Sequence, residues 1–170
     1  MKVLETDRLV LRWLTIEDAP FVLRLVNEPP WQMYIGKSGV KTLPDAEHYI
    51  ATGPIAMYKL RGFGLYLVEL KEGHVPLGIC GLIKREALED VDIGYAFLQE
   101  FWGKGFALES ATAVMDFGLQ AFQLTRVVAI SSPENQASAK LLGKLGFQFE
   151  RMVRLKPGAG EVRLYAAATG

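Results

Sequence analysis

The seventeen residues Ile93–Glu109, I-G-Y-A-F-L-Q-E-F-W-G-K-G-F-A-L-E, constrain this chain's fold more than any other stretch. The apolar run Val91–Leu98 reads as a strand, and a loop carrying Gly103 and Gly105 then opens at once into a helix. From Leu108 the apolar positions Leu108, Ala111, Met115, Gly118 and Phe122 recur at spacings of three and four, one face of a helix. Arg126–Ser131 follows as a short β-branched strand. Strand, crossover helix and strand in that order require a parallel pair within one sheet. Glycines let backbone amides converge without Cβ obstruction, and the first turn of a helix has unpaired N–H groups. The loop therefore suits a phosphate or pyrophosphate, with Lys104 as a supporting charge. It also reads as a plain turn, because it has neither Walker A spacing nor the three glycines of a dinucleotide fingerprint.

Around this crossover the chain alternates less regularly. Arg8–Leu14 has period two and predicts a strand, and Thr15 with Asp18 forms an approximate capping box for a helix over Ile16 to about Asn27. Pro29-Pro30 ends that helix, and Trp31–Leu43 is irregular. A second helix is expected from Pro44 to about Arg61, broken or kinked at Gly53-Pro54. Phe63–Leu70 and Val75–Lys84 read as a hairpin over Lys71–His74. Gln136–Leu145 reads as a helix stopped by Gly146, and Phe147–Leu155 with Glu161–Ala168 as a terminal hairpin. The expected order is β-α-α-β-β-β-α-β-α-β-β, an α/β (α+β) fold. It implies a mixed, mostly antiparallel seven-stranded sheet with helices on both faces, in a single domain over residues 1–170.

Composition excludes several classes of function. Nineteen Lys and Arg balance nineteen Asp and Glu, so the chain lacks the positive surplus of a nucleic-acid binder. Half the residues are hydrophobic, enough for a substantial core. Cys80 is the sole cysteine, which rules out an internal disulfide and a Cys-rich zinc site, and His48 and His74 form no ligand pair, so no metal is expected. Charges at Lys2, Glu5, Asp7 and Arg8 break any signal-peptide core. Apolar runs such as Ala111–Met115 fall far short of the ~20 residues that span a bilayer. A cytoplasmic protein without membrane or nucleic-acid partners is expected, as monomer or homodimer.

Taken together, T-D-R-L-V-L-R at Thr6–Arg12, the I-G-Y strand, W-G-K-G-F-A-L-E at Trp102–Glu109, and N-x-x-S at Asn135–Ser138 followed by L-G-F resemble the GNAT superfamily of N-acetyltransferases. The likeness runs from about Thr6 to Ala168 and is greatest to the RimJ/RimL-type branch, which includes ribosomal-protein alanine acetyltransferases. It implies acetyl-CoA as co-substrate. The family's phosphate loop, Q/R-x-x-G-x-G/A, falls on Trp102, Gly103, Lys104, Gly105, Phe106 and Ala107. The resemblance further implies a bulged preceding strand, ending at Phe97, Leu98 and Gln99, that pairs with the pantetheine arm. That strand and Arg126–Ser131 are expected to splay apart around the thioester. Asn135 and Ser138 match positions facing the pantetheine and sulfur, although Asn135 also reads as an ordinary N-cap.

Three positions depart from the family's pattern. Trp102 replaces Gln or Arg at the start of the loop and is expected to pack over the adenosine side. Leu142 stands where many members carry a tyrosine that protonates the departing thiolate, so Ser138 is the candidate replacement. Asp92 stands where the branch often has Glu, and is the first candidate for the base, with Asp90, Glu69 and water as alternatives. A backbone N–H near Leu98 is the expected oxyanion donor. The acceptor pocket is expected to draw on Trp31 and Tyr34, which also read as packing or lid residues. Cys80 reads as core, not nucleophile. The implied reaction is direct attack of a primary amine, a protein or peptide N-terminus, in a ternary complex. The alternatives are a small-molecule amine acetyltransferase and a non-catalytic acyl-CoA-binding module.

Overall fold

The computed structural model describes residues 1–168, and the last two positions of the expected 1–170 domain lie outside them. The elements run β1 (Lys2–Glu5), β2 (Leu9–Trp13), α1 (Ala19–Val26), α2 (Pro29–Tyr34), α3 (Leu43–Ile50) and α4 (Ala56–Arg61). Then come β3 (Leu65–Leu70), β4 (Pro76–Ile83), β5 (Asp92–Phe97), α5 (Phe106–Ala121), β6 (Arg126–Ser131), α6 (Gln136–Lys144), β7 (Gln148–Val153) and β8 (Val162–Ala168). One sheet in the order β1-β2-β3-β4-β5-β6-β8-β7 contains them all, antiparallel except at β5/β6. The mixed sheet matches expectation, with eight strands instead of seven. The added strand is β1, an edge strand paired with β2, whose four residues begin and end on exposed charges and so carry no clear apolar period.

The helical region is also more continuous than the sequence suggests. Pro29 and Pro30 end one helix and occupy the first turn of α2, where a missing N–H and a fixed φ cost nothing. Thr42 caps α3 in a reciprocal box with Asp45. Gly53-Pro54 does not break the helix. The five residues Ala51–Ile55 form a wide π-helical turn joining α3 to α4, which makes room for the Pro54 ring against the preceding carbonyls.

The central strands are covered on both faces. Tyr66, Val68, Cys80, Leu82 and Ile93 pack with Ala111, Val114 and Met115 of α5 on one side. Leu67 and Ile79 pack with Val22, Leu25, Ala46 and Ile50 of α1 and α3 on the other. Burying such side chains contributes roughly 1.5–3 kcal/mol each.

One polar clasp ties the start of β2 to the start of α5. The Glu109 carboxylate accepts from the Thr6 hydroxyl (2.5 Å), the Arg8 amide (3.1 Å) and Arg8 Nε (2.8 Å). Arg8 Nη1 also donates to the Lys104 carbonyl at 3.0 Å, and its guanidinium lies 4.4 Å over the Phe106 ring. The Thr6–Arg12 and Trp102–Glu109 motifs are therefore two halves of one structure. Burial opposes ionisation of Glu109, but hydrogen bonds from Thr6 and Arg8 outweigh it and hold the carboxyl below its ordinary range. A depressed carboxyl stabilises the fold above the unfolded-state pKa, and that contribution fades as pH falls through the folded-state value. Glu109→Gln is expected to cost about 1–2 kcal/mol in urea denaturation at pH 7. The deficit should shrink in acid; one that persisted there would point to packing instead.

Candidate active site

The site begins where β5 and β6 part. They share one register pair, Asp92 with Val128, and the Val128 amide donates to the Val91 carbonyl at 3.0 Å. Each strand is instead held along its length by its other neighbour, β5 by β4 and β6 by β8. The C-terminal halves of β5 and β6 therefore splay, and both line a cavity of about 1030 Å³.

Hydrogen-bond parity decides which groups β5 offers to that gap. The β4/β5 register runs unbroken from Asp92 to Phe97, so the expected bulge is absent. The Leu98 amide donates to the Leu77 carbonyl at 2.9 Å, and the Leu98 side chain is buried in the core. Leu98 is therefore excluded as the oxyanion donor, because its N–H already has an acceptor within the sheet. In an antiparallel ladder alternate residues point their backbone groups to opposite sides. The amides of Tyr95 and Phe97 consequently face the gap. The Phe97 carbonyl, on the same side, accepts from the Trp102 indole N–H at 2.9 Å. Trp102 thus fastens the loop to the end of β5, half exposed above the cavity.

The loop has the form an anion cradle needs. Gly103 and Gly105 have φ of 77° and 83°, the left-handed region that L side chains rarely adopt. A Cβ on Gly103 would meet nothing within 4 Å, so the backbone there is open to a ligand. Gly105 caps α5 without a side-chain acceptor, leaving the first amides of a sixteen-residue helix to the cavity. Gly103, Gly105, Phe106 and Ala107 line the cavity, but Lys104 and Gln99 do not. The Lys104 ammonium lies 5.9 Å from the Phe101 ring centre, and the Gln99 amide donates to Glu28 Oε1 at 2.9 Å. Both side chains lie outside the cavity wall in this structure.

On the α6 side, Asn135 caps the helix by accepting from the Ser138 amide at 3.1 Å. Ser138 Oγ lies 2.7 Å from the Tyr95 hydroxyl, bridging the gap from α6 to β5. Burial pushes the Tyr95 phenol up to about 12, although Ser138 opposes the shift, so it stays neutral at ordinary pH and either hydroxyl can donate to the other. The pairing of Tyr95 was not legible beforehand: the I-G-Y motif marks the strand, but which face meets α6 depends on three-dimensional register. Leu142, one turn on, is fully buried hydrocarbon.

Of the three acids weighed as a base, Asp92 alone lines the cavity. Asp90 is held outside by Arg126 at 2.9 Å, and Glu69 is buried on β3 between His74 (3.1 Å) and Arg12 (3.4 Å). Asp92 is fully buried at the strand junction, and Arg85 Nε donates to its two oxygens at 3.2 and 3.3 Å. Burial raises its carboxyl from 3.8 to about 6 against the lowering effect of Arg85. Trp31 and Tyr34 of α2 also line the cavity. Cys80 is buried with its thiol raised to about 12 by desolvation, unsuited to nucleophilic attack. Among the described residues no His, Cys, Asp and Glu group could hold a metal ion, and no helix is long and apolar enough to cross a membrane.

Comparison with known proteins places these features in a family context. Residues 8–148 match the family model described as an acetyltransferase (GNAT) domain. A Bacillus subtilis (strain 168) protein named as an uncharacterized N-acetyltransferase, YoaA, is 32% identical over 154 residues, 89% of this chain and 86% of that protein. The Escherichia coli (strain K12) [ribosomal protein uS5]-alanine N-acetyltransferase is 30% identical over 90 residues, 52% of this chain and 45% of the relative. Among solved structures, RimL, a ribosomal L7/L12 alpha-N-protein acetyltransferase in complex with coenzyme A, superposes with a TM-score of 0.83 at 21% identity, covering 99% of this chain and 98% of that one.

The raised Asp92 carboxyl has a sign that can be measured. A buried acid with an elevated pKa stabilises the fold most when protonated, and the contribution is lost as pH rises through about 6. Carbon-detected NMR should find Asp92 titrating near 6. Arg85→Gln should move the midpoint upward; a midpoint in the ordinary carboxyl range would remove Asp92 as a tuned group.

Proposed function

The chain belongs to the GNAT family of acetyltransferases, and on that premise we propose that it transfers acetyl from acetyl-CoA to a primary amine by direct attack in a ternary complex. The observation that carries this reading is the parting of β5 and β6 over a loop of left-handed glycines. The open edge of β5 suits the amide-rich pantetheine arm as an added strand. The amides of Gly103–Ala107 at the start of α5 suit the pyrophosphate. Capture by backbone amides is compatible with a chain of zero net charge.

Each residue then has one task. Asp92, directly or through one water, takes the proton of the attacking amine, and the Tyr95 or Phe97 amide donates to the thioester oxygen as charge develops. The amine nitrogen bonds to the acetyl carbon as the carbon–sulfur bond breaks. Ser138 donates to the departing sulfur. Tyr95 and Ser138 lie within hydrogen-bond distance; with the phenol as donor, the serine hydrogen is left free to point at that sulfur. Tyr95 acts through Ser138 and is a positioning residue.

A protein or peptide N-terminus is the acceptor this chemistry favours. A base near 6 is about two units below an α-amino group, whose pKa is ~7.7–8.0, and more than four below a lysine at ~10.4. The E. coli relative named above acts on an alanine of ribosomal protein uS5. Trp31 and Tyr34 supply aromatic walls on the acceptor side.

Thiol release from acetyl-CoA with a short peptide carrying a free α-amine tests this reading. The kcat/KM profile should rise through about 6 for Asp92 and again near the amine's own pKa. Asp92→Asn should remove the lower limb and cost roughly 10²-fold or more. An unchanged profile in that variant assigns the proton to water. Tyr95→Phe and Ser138→Ala should each slow kcat about tenfold with CoA affinity unchanged. The double variant should be no slower than either single one, whereas additive losses would separate the two hydroxyls.

A further inference from the structure

The cavity holds a second polar group that the proposed chemistry does not use. Arg85 reaches Asp92 through Nε alone. Its two terminal nitrogens have no acceptor among the described residues, although Arg85 lines the cavity and is over a third exposed. An arginine serving only to neutralise Asp92 would more favourably present its two-pronged end to the carboxylate. The contact through Nε instead leaves both terminal nitrogens without a hydrogen bond to Asp92. The Tyr49 hydroxyl of α3, in the same cavity, also has no hydrogen-bond partner among the described residues. Burial raises the Tyr49 phenol, and the Arg85 charge opposes that shift. Glu28, the other acid in the lining, is already engaged by the Gln99 amide and is paired with Arg24.

We propose that the Arg85 fork and the Tyr49 hydroxyl form a carboxylate subsite, so that the preferred acceptor carries a carboxylate within a few bonds of its reacting amine. The inference rests on the reading of Asp92 as the group that meets the amine. Arg85 and Asp92, joined through Nε, then present adjacent opposite charges to the two charges of one acceptor. Two sources offer this chemistry, the α-carboxylate of a free amino acid and the acidic side chain of a peptide's first residue. Guanidinium–carboxylate contacts of this kind discriminate by roughly tenfold or more.

Two matched series tests it by thiol release, with rates expressed per unprotonated amine. One pairs free amino acids with their amides. The other pairs tripeptide amides beginning with aspartate with the same peptides beginning with asparagine. At least tenfold higher kcat/KM for the acid member is expected in one series, and which series identifies the source. Arg85→Gln should bring that ratio near one, and because the ratio compares two acceptors on one enzyme, any change in Asp92 basicity cancels. Equal rates for acid and amide in both series, or a preference untouched by Arg85→Gln, overturns the subsite. If no amine releases thiol, acetyl transfer itself fails, and calorimetry on the CoA-loaded protein decides the subsite separately. N-acetylalanine binding more tightly than N-acetylalaninamide, or the N-acetylated aspartyl tripeptide amide more tightly than its asparaginyl counterpart, with loss of the difference in Arg85→Gln, upholds it; equal affinities in both pairs overturn it.

Discussion

The contact between β5 and β6 organises the molecule by being so short. A parallel pair normally continues as a ladder, yet these two strands share one register pair and then diverge. Divergence is possible because neither depends on the other: β5 is anchored by an unbroken ladder to β4, and β6 by another to β8. The helix that links them packs on the sheet across β4 and β5, so closing the gap would require displacing the larger core. The cavity therefore belongs to the topology and does not rely on loop conformation. Asp92 sits at the vertex, and its burial there produces both its elevated pKa and its position at the inner end of the gap.

The strand that starts at the vertex also separates the two groups to which the proposed chemistry is assigned. Side chains of alternate residues on β5 point to opposite faces. Asp92 lies on one parity with Gly94 and Ala96, and Tyr95 on the other with Ile93 and Phe97. The proposed proton acceptance and thiol-side hydrogen bonding consequently fall on opposite faces of a single strand. Ser138, though distant in sequence, meets Tyr95 because α6 follows directly from β6, the other arm of the gap.

Much of this was legible in the sequence where the signal was local. The crossover, the glycine loop and the α6 cap each depend on residues close in the chain, and the position of Asp92 before I-G-Y marks it as the first candidate base. The parts that were not legible depend on register or on long-range partners. Leu98 looked available as a donor because its neighbour across the sheet, Leu77, is twenty-one residues away. Lys104 reads as a supporting charge for a phosphate, and the sequence does not show that Arg8 binds its carbonyl or that its ammonium lies near Phe101. Tyr95 reads as an ordinary strand aromatic until α6 is in place. Arg85 lies in the β4–β5 connection, where only the folded path reveals its contact with Asp92.

The open side of β5 has a consequence beyond ligand binding. A strand with unpaired amides is an edge, and edges recruit foreign strands. Here the edge lies in the middle of a sheet, walled by β6, by α6 and by the loop before α5. The Trp102 indole closes its outer end by occupying the Phe97 carbonyl. The enclosure proposed to take a pantetheine-like arm therefore also shields this edge from pairing, strand to strand, with other polypeptides.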